Sequence, residues 1–248
     1  VRRFRIRPED VAGDRVTLGV EETRHLTRVL RLGTGDVVEA LDGAGTMLTV
    51  RIERIDRRGA EAVILARASH PTESPLRLTL AQGIAKGDKM ERIIRMATEL
   101  GAIFVVPLAT ARTVVTLERG GGASRLARWR RVAQEAAKQS GRSVVPDVSS
   151  PQTLEAWLTA REAEDLLVCL WEAAERPIVS QLPKMPVSHA TLVVGPEGGL
   201  EASEVDAIAK AGGVVGNLGS RILRTETAGP VGLALLQGRY GDLGGAPV

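Results

Sequence analysis

Two short stretches in the last quarter of the chain carry residue types whose spacing suits ligand chemistry. The first, TLVVGPEGGLEASEV (191–205), runs an apolar segment into Gly195-Pro196-Glu197-Gly198-Gly199 and then into a helical pattern. Glycines at such a turn let backbone N–H and C=O groups approach a ligand closely, and a proline stiffens the loop. Taken alone, the same residues also suit a tight strand-to-helix turn. The second stretch, NLGSRILRTETAGPVGLALLQ (217–237), sets Arg221 and Arg224 between an apolar strand ending at Leu218 and an apolar helix entered through Thr225-Glu226-Thr227-Ala228. Charged residues there occupy the place where open α/β sheets hold ligands, at the carboxyl ends of strands. The two loops follow successive strands, so one shared pocket is expected. Thr225 is a candidate N-cap, and Gly229-Pro230 is expected to delay or kink the helix.

Other chemistries find no support. The chain has no GxxxxGK[ST], HExxH or GxSxG, and no GxGxxG follows the first strand of its α/β half, which argues against P-loop, zinc-protease, α/β-hydrolase and Rossmann sites. His25, His70 and His189 lie far apart and read as surface or packing residues. The single cysteine, Cys169, cannot close an internal disulfide, and no Cys/His cluster has metal-ligand spacing. No metal is expected. With no apolar run of membrane length and no signal-like leader, the expected compartment is the cytoplasm.

Of 248 residues, 44% are hydrophobic and 25% charged, an ordinary globular composition. The 33 Lys and Arg against 30 Asp and Glu leave a formal charge of only +3, so any polyanion surface must be local. The run from Arg119 to Arg142 is such a place: Arg119, Arg125, Arg128, Arg130, Arg131, Lys138 and Arg142 face a single acid, Glu135. A second is Arg2, Arg3, Arg5 and Arg7. Arg2, Arg3, Arg5, Arg7, Arg128, Arg130, Arg131 and Lys138 are the candidate RNA-binding residues. Aromatics at 2% make base-stacking platforms improbable, so contact would be to phosphate and shape.

These residues need elements to hold them. Residues 1–70 read as short strands (15–19, 36–41, 46–55, 60–66) broken by glycine turns, with one helix over 21–31 whose Leu26, Val29 and Leu30 share a face; a small barrel is expected. Ser69–Pro75 is a polar, proline-bounded segment, and the boundary is placed at 71–75. Residues 76–248 alternate strands (76–84, 103–108, 166–171, 191–194, 214–218) with helices (88–100, 124–140, 154–164, 202–211, 225–239), which predicts a mostly parallel sheet covered on both faces. Asp88 is the expected N-cap of the helix over 88–100, with Glu91 completing a capping box.

GPEGGL (195–200) and LGSRILRTETA (218–228), with KGDKMERIIRMATELG (86–101), IFVVPLATARTV (103–114) and EAAKQSGRSVVP (135–146), resemble the RsmE family. These SPOUT (α/β-knot) enzymes methylate N3 of one uridine in the decoding region of 16S rRNA. The resemblance spans the chain and implies an α/β fold: a PUA-like β-barrel (1–70), a linker (71–75) and a SPOUT domain (76–248) with a C-terminal trefoil knot. It also implies a homodimer acting on 16S rRNA in an assembled or nearly assembled small subunit. S-adenosylmethionine would be held, largely by backbone groups, at Leu170, Trp171 and Glu172, at Val194, Gly195, Pro196, Glu197, Gly198 and Gly199, and at Leu218, Gly219, Arg221, Leu223, Arg224, Thr225, Thr227 and Ala228. Uracil N3 is protonated at neutral pH, so transfer needs a base and donors for charge on the ring oxygens. Glu226 is the acid/base candidate and Arg224 or Arg221 the anion stabiliser, with Arg142 or Arg112 drawn from the partner subunit. Two alternatives stand: Glu226 pairs with Arg224 or caps the last helix, and water takes the proton. Arg95-Met96 departs from the Gln-Lys pair expected there. The SLNVSVA-like ending of SPOUT ribose 2′-O-methyltransferases is missing, with ILRTETAGPVGLAL in its place. That ribose chemistry, and a non-catalytic rRNA-binding assembly factor, are the competing readings.

Overall fold

Phe4 and Ile6, then Val16 and Leu18, place buried apolar side chains at every second position, the period of a half-buried strand. The computed structural model describes residues 2–69, 72–114, 122–161 and 166–243. His70, Arg119 and the expected helical residues 162–164 fall outside them, as does part of the 71–75 linker. Two compact units form, one from residues 1–73 and 134–145, the other from 74–133 and 146–248.

In the first unit six strands pair in the order β1 (Arg3–Arg5), β4 (Val37–Leu41), β5 (Thr46–Asp56), β6 (Gly59–Ser69), β3 (Arg15–Leu18), β2 (Val11–Ala12). All neighbours are antiparallel except β1 and β4. Leu48, Val50 and Ile52 of β5 point inward onto Phe4, Val16, Leu18, Leu26 and Val38. The helix expected over 21–31 is α1 (Val20–Arg24) followed by a π-helical turn, His25–Val29. That turn is closed by the Leu30 N–H on the His25 carbonyl at 3.1 Å. The wider turn breaks the 3.6 period, so Leu26 is buried while Val29 is 65% exposed. The expected shared face of Leu26, Val29 and Leu30 is thereby corrected.

Residues 134–145 join this unit through two ion pairs, Lys138 with Glu22 and Arg142 with Glu73. The Arg142 guanidinium donates twice to Glu73 Oε2 (Nε 3.1 Å, Nη2 2.5 Å), while Glu73 Oε1 accepts from the Val144 N–H at 3.0 Å. Arg142 is 4% exposed. Removing one partner of a buried pair strands the other's charge, at a cost of about 3–5 kcal/mol. Arg142→Ala is expected to lose about that much unfolding free energy in a denaturant titration; a loss below about 1 kcal/mol would contradict the buried pairing.

The second unit is a parallel sheet, β10 (Gln152–Thr153), β8 (Ala102–Ala109), β7 (Arg77–Gly83), β12 (His189–Val194), β11 (Leu166–Leu170), β13 (Val214–Gly216), with β9 (Asp147–Val148) also on β8. Every pair is parallel, as the strand–helix alternation predicts. The helices are α2 (Lys89–Glu99), α3 (Gly122–Ser140), α4 (Leu154–Ala160), α5 (Ala202–Lys210) and α6 (Thr225–Tyr240). Met90, Ile93, Ile94 and Ala97 form the buried face of α2, and Arg95 is exposed.

Two end assignments change. Asp88 makes no side-chain cap to α2; its carboxylate takes the Arg92 Nε–H at 3.0 Å instead. Thr225 is the first residue inside α6, with Arg224 at the cap position. The helix starts at once and carries Pro230 within it; Pro230 lies past the first turn and offers no N–H to the Glu226 carbonyl four residues back. Gly232 lets α6 lie close on the sheet, since a Cβ there would fall 2.7 Å from Leu192 and 2.9 Å from Leu170. Among the described residues no helix is long and apolar enough to cross a membrane, and no group of His, Cys, Asp and Glu could hold a metal ion.

Candidate functional site

The order of strands changes sense after β7: β8 and β10 extend one edge, while β11 is laid beyond the place that β12 later fills, with β13 outside it. Ligand crevices in parallel sheets open beyond the strands' carboxyl ends. A cavity of about 590 Å³ lies beyond the ends of β11, β12 and β13. Its walls are the ends of β11 and β12, the 195–200 loop, the 217–224 loop, the first turn of α6, and Lys89 at the start of α2. The two C-terminal stretches thus share one pocket, as their succession in sequence predicts.

Close approach explains the glycines of the 195–199 loop. A Cβ on Gly195 would lie 2.8 Å from the Gly199 carbonyl carbon and 2.9 Å from the Leu200 nitrogen. Gly199 has φ +71, and a Cβ on it would lie 2.7 Å from Glu172 Oε1. Side chains are thereby kept out and backbone polar groups face the cavity. Arg112 braces the loop from behind, its Nη1 donating to the Gly198 carbonyl at 2.8 Å.

A fully buried node fixes the loops to one another. Gln82 Nε2, on β7, donates to the Gly195 carbonyl at 3.1 Å and to Thr225 Oγ1 at 2.9 Å; Thr225 Oγ1 donates in turn to the Gly195 carbonyl at 2.6 Å. The Thr225 hydroxyl therefore ties α6 to the loop after β12 and does not cap a helix. The Gln82 amide nitrogen and the Thr225 hydroxyl are bonded in this way, and they specify one arrangement of the backbone they join, while Gln82 Oε1 is buried without a donor.

Charge gathers at one side of the cavity. Glu197 Oε1 accepts from the Lys86 backbone N–H at 3.0 Å and faces Lys89 Nζ at 3.0 Å. Burial raises the Glu197 carboxyl, but its own N–H, Lys89 and the Lys86 N–H outweigh that and hold it below the usual carboxylate range. Glu226, in the first turn of α6, places Oε2 3.8 Å from the same Lys89 Nζ. That oxygen is cut off from solvent and receives no hydrogen bond. Glu226 thus faces Lys89 and neither pairs with Arg224 nor caps α6. Arg221 and Arg224 are exposed on the rim.

All the expected cofactor residues line the cavity except Thr227, which is exposed. Ser220 and Ile222, inside the expected 218–228 stretch, line it too, whereas Lys89, Leu200 and Asn217 were not anticipated; a lysine just beyond the carboxyl end of an apolar strand was the available signal for Lys89. Arg142 does not line the cavity and belongs to the first unit. Cys169 is no nucleophile, since burial pushes its thiol up to about 12. His25 packs edge-on against Phe4, and His189 is exposed.

Most of the expected RNA-binding cations are engaged within the chain. Arg2 donates to the Leu30 carbonyl, Arg3 pairs with Glu39, Arg7 with Glu9 and Asp10, Arg128 with Glu91, Arg130 with Val148 and Asp147, and Lys138 with Glu22. On the first unit, Arg24, Arg28 and Arg31 on and after the π-helical turn are exposed. Arg31 holds a left-handed conformation, φ +55.

Comparison with known proteins agrees with this layout. The RNA methyltransferase domain family matches residues 72–237, and the RNA methyltransferase PUA domain family matches residues 13–65. The chain is 34% identical over 216 residues to ribosomal RNA small subunit methyltransferase E of Bacillus subtilis, covering 84% of each chain. It is 36% identical over 236 residues to the Synechocystis protein of that name, covering 94% of this chain and 76% of the other. Among solved structures, the S-adenosyl methionine-bound ribosomal RNA small subunit methyltransferase E of Neisseria gonorrhoeae superposes with a TM-score of 0.86 at 34% identity, over 98% of this chain and 99% of the other. The chain belongs to the ribosomal RNA small subunit methyltransferase E family of RNA methyltransferases.

Proposed function

We propose that the chain binds S-adenosylmethionine in the cavity beyond β11, β12 and β13 and methylates N3 of a uridine in the decoding region of 16S rRNA. It would act in the cytoplasm as a homodimer on an assembled or nearly assembled small subunit. The observation that carries this reading is the backbone-walled cavity with Glu226 Oε2 buried at its edge and without a donor. The residues fit the donor. About 590 Å³ is within the usual range for a small-molecule site. Backbone groups at 195–199 and 217–219 suit a purine, Leu170, Val194 and Leu223 give it apolar walls, and Glu172 suits a ribose diol. The reversed β12–β11–β13 order supports a C-terminal segment threaded as a knot.

When bound, S-adenosylmethionine supplies an electrophilic methyl group whose bonding electrons leave with the sulfur. Glu226 takes the proton from uracil N3, and the pair left on N3 forms the new N–C bond. Arg224 and Arg221 stand on the rim, where charge spreading onto the uracil oxygens would meet them. The 195–199 loop, braced by Arg112 and Gln82, excludes water and fixes the line of approach. Arg142, buried on Glu73, acts in this scheme by holding the fold of its own unit.

The first unit would add phosphate contacts through Arg24, Arg28 and Arg31. Replacing all three by Gln is expected to flatten the dependence of log K on log salt by about 2 for single-stranded RNA; an unchanged slope removes this face from the RNA site. The function itself is tested by transfer of labelled methyl from S-adenosylmethionine to small-subunit particles and to deproteinised 16S rRNA. Label on the particle at the higher rate is expected; label on neither overturns the reading.

A further inference from the structure

Lys89 is the residue of the cavity that neither the glycine loop nor the arginine rim accounts for. It is the first residue of α2, where the helix dipole disfavours a cation, so its placement needs another reason. Met90, Ile93 and Ile94 anchor its backbone in the core, while its four-carbon stem leaves the ammonium free to swing. Two carboxylates meet that ammonium from different elements, Glu197 at 3.0 Å and Glu226 at 3.8 Å. They are not equivalent. Glu197 also accepts the Lys86 N–H and stays ionised, whereas Glu226 Oε2 is dry and undonated. A short swing exchanges one partner for the other.

We propose that Lys89 is a positioning residue, shared between Glu197 and Glu226, whose ammonium partners the Glu226 carboxylate while that group waits to accept the proton. The inference rests on Glu226 being the base. Before transfer, the ammonium turns from Glu197 to Glu226. Once Glu226 carries the N3 proton it is neutral, and Lys89 returns to Glu197, which keeps the ammonium paired throughout. The other charged groups lining the cavity are Glu172 after β11 and Arg221 and Arg224 before α6.

The test uses full-length Lys89→Met, Lys89→Arg and Glu197→Gln, reading single-turnover rate against pH and S-adenosylmethionine binding by calorimetry. Lys89→Met is expected to move the acid limb of the rate profile up by about one pH unit, because the carboxylate loses its cation. Glu197→Gln is expected to move it down, because Lys89 is then left to Glu226 alone. Lys89→Arg should restore the limb, and methyl-donor affinity should stay within about threefold in the two Lys89 variants, since Lys89 acts on Glu226 and not on the donor. A limb unmoved in both Lys89→Met and Glu197→Gln overturns the proposal. So does a large loss of donor affinity in Lys89→Met with the limb in place, which would make the lysine a donor ligand. Where Lys89→Met does not fold, the Glu197→Gln limb decides alone. Near-normal transfer by Glu226→Gln would instead sink the base assignment beneath it, a separate outcome.

Discussion

Glu226→Gln is expected to slow single-turnover methyl transfer by about 10²–10⁴-fold, the usual worth of a positioned general base. S-adenosylmethionine binding should change little. The amide keeps the shape of the side chain and the contacts of the first turn of α6, but cannot take the N3 proton. Glu226 is the carboxylate of the first turn of α6 that lines the cavity, beside Lys89. A Glu226→Gln enzyme with near-normal transfer would leave orientation and the arginine rim to carry the reaction, with water as the base. Quench-flow with saturating donor separates the two outcomes.

Gly195→Ala should act on a different step, the binding of the donor. The added methyl would meet backbone on the far side of the same loop, 2.8 Å from Gly199 and 2.9 Å from Leu200. Backbone held by the Gln82–Thr225 node cannot move aside as a flexible side chain would. Overpacking of this kind costs about 1–3 kcal/mol, so donor affinity is expected to fall by about 10- to 100-fold with the second unit still folded. Gly33→Ala is the control, because a Cβ there meets nothing within 4 Å. Calorimetry on both variants checks the pair; equal affinities would show that the loop is not the donor cradle.

Much of this was legible in the sequence because it is local. Apolar runs separated by helical patterns give the parallel sheet, and the glycine loop and the Arg-rich loop each follow a strand, so their convergence is a matter of topology. What stayed hidden is long-range. Gln82 and Lys89 lie more than a hundred residues before the loops they hold, and nothing in their immediate neighbours marks an amide buried under Gly195 or a lysine between Glu197 and Glu226. Thr225 looks like a cap by position, but its hydroxyl is taken by a carbonyl thirty residues earlier. The basic clusters misled for a similar reason. Counting sign along the chain leaves Arg3 and Lys138 free, although folding brings Glu39 and Glu22 to them.

The central claim is that this cavity directs a methyl group to a uracil nitrogen of small-subunit RNA. Its most direct measurement is nucleoside mass spectrometry of 16S rRNA, taken from unmodified small-subunit particles after incubation with the protein and S-adenosylmethionine. The account predicts one uridine methylated on the base at N3. A methyl group on a ribose 2′-oxygen, or no new methylated nucleoside at all, would contradict it.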